Sequence, residues 1–153
     1  SKANVVIKRA NWVITSLNDP DDEELGGEGA INGRFTDILD GNNSTYWHSR
    51  WSSNATSYPH ILLIDKVTAQ MVNGIYFVQR ANGSRNVKGL KVWVGNDPNS
   101  LTLITPSGTV LQKNSDQQKI ALPTPQVIRY IKVEFDNSYD GAQFAAMAEI
   151  GTY

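Results

Sequence analysis

Val127-Ile128-Arg129-Tyr130-Ile131-Lys132-Val133-Glu134-Phe135 is the stretch that decides the fold class. Its apolar members are Val127, Ile128, Tyr130, Ile131, Val133 and Phe135, with Arg129, Lys132 and Glu134 between them. From Ile131 onward, apolar and charged side chains alternate. A period of two puts one set against a core and the other in water, which is a half-buried β-strand. Leu90-Lys91-Val92-Trp93-Val94 alternates just as strictly. Gly74-Ile75-Tyr76-Phe77-Val78-Gln79, the short Lys119-Ile120-Ala121-Leu122 and the β-branched run Trp12-Val13-Ile14-Thr15-Ser16-Leu17 read as further strands. Within residues 60–67, Ile61-Leu62-Leu63-Ile64 is apolar enough for a strand buried on both faces, and residues 145–153 close the chain. Turn signals separate the runs at Asn82-Gly83, Gly95-Asn96-Asp97-Pro98, Pro106-Ser107-Gly108 and Asp140-Gly141. No helical period persists over three turns. The expectation is an all-β chain, a jelly-roll β-sandwich of about eight main strands.

The 153 residues suit one domain spanning 1–153, with no internal repeat and no linker-like stretch. Apolar residues make up 40 % and charged residues 19 %, the balance of a globular chain. The net charge is −1 and no basic run exceeds two residues, which argues against nucleic acid and anionic membranes as partners. No apolar stretch is long enough to span a bilayer, and no membrane insertion is expected. There is no cysteine, so disulfides and thiolate metal sites are excluded and the compartment stays open. Ser1-Lys2-Ala3-Asn4 shows no charged-then-apolar leader, leaving either a cytosolic protein or a module of a longer exported chain.

The chemistry concentrates in Asp40-Gly41-Asn42-Asn43-Ser44-Thr45-Tyr46-Trp47-His48-Ser49-Arg50-Trp51. Asp40, Asn42 and Thr45 crowd oxygen atoms into a tight loop, the donor type that suits calcium. The same residues also make an ordinary turn. His48 and Trp51 follow, three positions apart. An imidazole that reads a hydroxyl beside an indole that covers an apolar ring face is a way to hold a sugar. Trp47 fits an inward-facing position, Trp12 and Trp93 are expected in the core, and His60 reads as a strand-end residue. The acidic run Asp19-Pro20-Asp21-Asp22-Glu23-Glu24 leads into Gly26, Gly27, Gly29 and Gly33. It reads as a solvated loop, in which Glu28 could accept a ligand hydroxyl.

Asp40-Gly41-Asn42, Thr45 and Trp47-His48-Ser49 near the start, with Ala148-Glu149-Ile150 near the end, resemble the discoidin or coagulation factor 5/8 type C domain. More narrowly they resemble the family-32 carbohydrate-binding modules. The resemblance covers essentially the whole chain and implies a galactose-binding-like jelly roll. It implies a structural calcium ion held by Asp37 and Asn42 through backbone carbonyls, Asp40 and Glu149 through carboxylates, Thr45 through its hydroxyl and carbonyl, and Ala148 through its carbonyl. Joining residues over a hundred positions apart, such an ion would act as a cross-link. The resemblance also implies a galactose-type sugar site made by His48, Trp51, Arg80 and Phe144, with Asn82 on the loop after Arg80. Terminal galactose or N-acetylgalactosamine glycans are the implied partners. The parent would be a larger bacterial glycoside hydrolase that is periplasmic, cell-surface or secreted, with the module monomeric and tethered to a catalytic domain.

Nothing in the sequence supports catalysis within the chain. There is no nucleophile elbow, and the carboxylates of the acidic run lack the strand scaffold that a facing glycosidase pair requires. The alternative to sugar binding is a discoidin-type module that docks protein or serves as a spacer.

Overall fold

A computed structural model describes residues 7, 9, 11–19, 29 and 31–153. Glu28 and most of the acidic run lie outside the described residues. Among the described residues eight strands follow in order: β1 (Val13–Ser16), β2 (Trp47–His48), β3 (His60–Val78), β4 (Leu90–Gly95), β5 (Thr102–Leu103), β6 (Gln118–Phe135), β7 (Ala146–Met147) and β8 (Glu149–Thr152). The one helical element among the described residues is a 3-10 turn, Phe35–Ile38. The main sheet runs β1-β3-β6-β4-β5, with β8 also on β3, and β2 pairs with β7 in a second small sheet. All strand pairings are antiparallel.

The all-β expectation holds, but two boundaries differ. Residues 60–67 and all but the last of 74–79 lie on one strand, β3, and residues 119–122 and 127–135 lie on one strand, β6. The two long strands pair along their length, with register shifts between Asp65 and Gln70 and between Val72 and Gly74. Such irregularities bend a strand and increase its twist, so one strand serves both ends of a sandwich. Pro123 and Pro125 suggest a break, yet they sit in β6 opposite the shifted region of β3 and leave the strand intact.

Alternation fixes the core. Leu62 and Ile64 are fully buried, whereas Ile61 and Leu63 are only partly covered, so this segment is not buried on both faces. On β6, Ile131, Val133 and Phe135 point inward, and on β4 so do Leu90, Val92 and Val94. Trp93 therefore points outward with Lys91, and Lys132 lies 4.2 Å from its ring centroid. Strand parity overrides the expectation that Trp93 is core. Trp12 and Trp47 are buried as expected, and Trp47 packs against Phe35 at 5.6 Å and Phe135 at 6.3 Å between centroids. Tyr153 lies across Gly74 and Tyr76 across Gly151, at positions where a Cβ would clash with the ring. Among the described residues no helix is long and apolar enough to cross a membrane.

Candidate functional site

β2 and β7 pair with Trp47 opposite Met147 and His48 opposite Ala146. Because neighbours on a strand face opposite ways, burying Trp47 turns His48 to the other side. Past the strand, the Ser49 amide donates to the Ala145 carbonyl at 2.9 Å and the Ala145 amide donates to Ser49 Oγ at 3.0 Å. This brings Phe144 beside His48, with ring centroids 5.8 Å apart. The Ala146 amide donates to the Arg85 carbonyl at 3.2 Å, which ties a third chain segment to the same place. His48, Trp51, Arg85 and Phe144 line a shallow pocket of about 190 Å³.

Each side chain in the pocket is oriented. His48 Nδ1 lies 2.6 Å from the Ser49 carbonyl oxygen. A carbonyl only accepts, so Nδ1 is the donor in this contact. Trp51 stands edge-on to His48 at 6.5 Å and is 39 % exposed, an indole presented to solvent rather than packed beneath its loop. The Arg85 guanidinium lies 5.2 Å from the Phe144 ring centroid, a stacking that suits its planar cation. Its Nη1 donates to Asp140 Oδ2 at 3.0 Å, and the Arg85 amide donates to the same oxygen at 3.1 Å. Ser138 Oγ and the Ala142 amide donate to Asp140 Oδ1 at 2.7 and 3.0 Å. Burial works to raise the Asp140 pKa, but these donors outweigh it and hold the carboxyl at about 2. Asp140 is thus an anion at neutral pH and offsets the Arg85 charge.

Of the residues expected to meet a ligand, the structure brings together His48, Trp51 and Phe144. Arg80 is not among the lining residues, because its guanidinium lies 4.0 Å from the Tyr46 ring centroid. Asn82 is exposed, and its Oδ1 accepts the Ser84 amide at 3.0 Å, which makes it a turn former. The pocket's guanidinium belongs to Arg85, which sequence reasoning missed. Gly83 and Arg85 have φ of 77° and 58°, and these left-handed residues reverse the loop that brings Arg85 into the lining.

The other loop lies at 40–45. Asp40 Oδ1 accepts the Asn42 amide and Asn42 Oδ1 accepts the Ser44 amide, both at 2.9 Å, so two side-chain turns shape it. Thr45 Oγ1 donates to Asp40 and lies 3.0 Å from the Asn42 carbonyl oxygen. Asp37 takes its carboxylate elsewhere and accepts the Arg34 amide at 2.9 Å. The Ala148 amide donates to Val78 O at 2.9 Å, which fixes that residue beside Glu149. Glu149 is buried, and among the described residues its Oε1 has no hydrogen-bond partner. Burial pushes its pKa up to about 7, helped by the Asp40 carboxyl and opposed by Arg9. Arg9 was not anticipated at this position: its Nη1 pairs with Glu149 Oε2 and donates to the Ile38 and Ile150 carbonyls at 2.9 and 3.0 Å. Among the described residues no group of three or more His, Cys, Asp or Glu gathers. What gathers is a pair of acids with hydroxyl and carbonyl oxygens. An all-oxygen set with one undonated buried carboxylate oxygen fits a hard dication.

Relatives agree with this architecture. A sialidase from Micromonospora viridifaciens is 29 % identical over 136 residues, 88 % of this chain. The chain spans about 20 % of the length of the curated relatives it matches. The C-terminal domain of a chitobiase from Bacteroides fragilis superposes with a TM-score of 0.81 at 24 % identity, covering 97 % of both chains. The family 32 carbohydrate-binding module of Clostridium perfringens NanJ, in complex with galactose, gives 0.75 at 18 % identity over 96 % of both chains. The family model for the F5/8 type C domain matches residues 23–150. The chain belongs to the F5/8 type C domain family.

Proposed function

We propose that the chain is a noncatalytic carbohydrate-binding module whose pocket at His48 holds one terminal sugar of galactose type. The observation that carries this reading is the pocket's composition. An exposed indole and a phenyl ring flank an imidazole whose Nδ1 is held by the Ser49 carbonyl, next to a guanidinium fixed by Asp140. Trp51 and Phe144 cover the apolar faces of a pyranose, His48 Nε2 accepts from a hydroxyl, and Arg85 donates to the ring's oxygens. An axial hydroxyl beside the imidazole favours galactose or N-acetylgalactosamine. The galactose seen in the NanJ module supports the same sugar class. With its charge offset by Asp140, Arg85 suits neutral sugars.

A pocket this shallow binds one sugar weakly, near the millimolar range that corresponds to about 4 kcal/mol. Useful affinity then comes from multivalency or from tethering to a catalytic domain, in a parent protein exported to a glycan-bearing surface. The undonated Glu149 oxygen supports a structural calcium ion held by Asp40, Asn42, Thr45 and Glu149, with the carbonyls of Asp37 and Ala148 completing the shell.

The test is a glycan array probed with the multivalent domain, with His48→Ala as control. Terminal galactose-type hits lost in the control are expected. A blank array from folded, calcium-loaded domain would overturn the reading in favour of protein docking or a spacer.

A further inference from the structure

A second and larger concavity, about 390 Å³, lies between the start of β4, the loop 103–110 and the residues just past β6. It is twice the volume of the pocket at His48 and falls in the range of small-molecule sites. The two concavities lie along one pair of chain segments. The Tyr139 amide donates to Asn86 O at 3.0 Å, the Lys88 amide to Asn137 O at 2.9 Å and the Asp136 amide to Gly89 O at 2.9 Å. Residues 85–89 and 136–140 thus run antiparallel, with Arg85 and Asp140 in the first site and Gly89 and Asp136 in the second. Arg85 and Gly89 are four positions apart, so the two sites lie at most ~14 Å apart along this segment. Lys88 also lines the second concavity, and its ammonium lies 5.7 Å from the Tyr139 ring centroid.

The lining pairs an apolar wall with polar donors. Leu103 and Val110 are 48 % and 42 % exposed and form that wall. Asn137 is also in the lining: its Oδ1 accepts the Gly89 amide at 2.8 Å, which fixes its carboxamide, and its Nδ2 makes no hydrogen bond among the described residues. A Cβ at residue 89 would stand 3.2 Å from Asn137 Oδ1, so glycine allows this close approach. Lys91 donates to Asp136 at 2.8 Å and to Glu134, which is outside the lining, at 3.1 Å, so that with Lys88 this group of four charges cancels. A neutral, partly apolar cleft with amide and ammonium donors at its rim matches a neutral pyranose: its apolar face goes to the wall and its hydroxyls to the rim.

We propose that this cleft is a second sugar subsite, taking a later, neutral pyranose of the glycan whose terminal unit sits at His48. The inference rests on the carbohydrate reading above. The module then reads glycan length as well as the terminal sugar, and the two contacts reinforce each other because they are covalently linked.

The experiment uses the full chain, isotopically labelled for amide NMR. It is titrated with galactose and then with a panel of galactose-terminated oligosaccharides of increasing length and differing linkage. Galactose is expected to shift amides around His48 and Phe144 only. Longer members are expected also to shift Gly89 and Gly108 and to bind about tenfold more tightly. Val110→Asp and Leu103→Asp, both on exposed wall positions, should erase that gain, leaving galactose affinity and the melting temperature unchanged. If galactose binds at His48 but no longer member gains affinity or shifts Gly89 and Gly108, the subsite is overturned and the terminal-sugar site stands. If no sugar shifts the amides around His48, the underlying reading has failed instead.

Discussion

His60 Nε2 lies 2.7 Å from the carbonyl oxygen of Gln143, the residue before Phe144. Its Nδ1 lies 2.8 Å from Asp19, and the ring is completely buried. Tyr58 stands edge-on to His60 at 4.6 Å, and its hydroxyl donates to the Phe144 carbonyl at 2.9 Å. The aromatic wall of the pocket is therefore held from behind by two consecutive carbonyls. Tyr58→Phe removes one of these bonds and should cost about 1 kcal/mol of stability. It should also weaken sugar binding several-fold, although Tyr58 does not line the pocket. Calorimetric titration beside a denaturant melt separates the two effects. Unchanged binding in a destabilised variant would mean that the wall does not depend on this bond.

Trp51 and Trp47 lie four positions apart and should behave in opposite ways. Trp51→Ala removes a partly exposed indole and should change stability by no more than about 0.5 kcal/mol while abolishing sugar binding. Trp47 is 1 % exposed and packs on Phe35 and Phe135, so Trp47→Ala should cost about 3 to 5 kcal/mol. Urea melts of the two variants check this. A large stability loss for Trp51→Ala would make it a structural residue.

The legible part of the site is the part attached to strands. His48 follows a core tryptophan, and Phe144 precedes the strand that pairs with it, so parity and adjacency place both. Arg85 was illegible because backbone reversal at Gly83 and Arg85 depends on tertiary contacts such as the Asp140 pair. Arg9 was illegible for a related reason, since its partner Glu149 is 140 positions away. The long strands β3 and β6 were read as four because bulges and prolines locally resemble turns, and the ladder between them is not visible in either segment alone. Trp93 differs: the alternation in Leu90 to Val94 points it outward, against the general preference of tryptophan for the interior.

Arg9 and a calcium ion would serve the same acid. Without metal, the guanidinium is the countercharge to Glu149, and both side chains are buried. Removing one partner of such a pair costs about 3 kcal/mol. Arg9→Met should therefore lower the melting temperature in chelator, and added calcium should recover more stability in the variant than in the wild type. For the wild type, chelation should lower the melting temperature without unfolding the domain at room temperature. Melts with and without calcium decide it, and identical curves in both conditions would remove the ion from the account.

Lys66 is buried against Trp12, with its ammonium 5.6 Å from the ring centroid and 3.3 Å from the Ile128 carbonyl oxygen. Burial lowers its pKa from 10.5 to about 8. Between those two values the unfolded chain holds the proton and the folded chain has released it. More protons bound by the unfolded state means that stability rises with pH across that window, and below it the charged lysine opposes folding. Lys66→Met keeps the side-chain length and removes the charge. It should raise stability at neutral pH by about 1 to 2 kcal/mol. It should also remove the Lys66 contribution to the alkaline slope. Tyr76 and Tyr153, both raised by burial, contribute the opposite slope as they ionise, so the difference between wild type and variant is the quantity to follow. Urea melts at intervals from pH 7 to about 10 give that difference. If it stays constant across the range, Lys66 is solvated in the folded state and its burial carries no charge penalty.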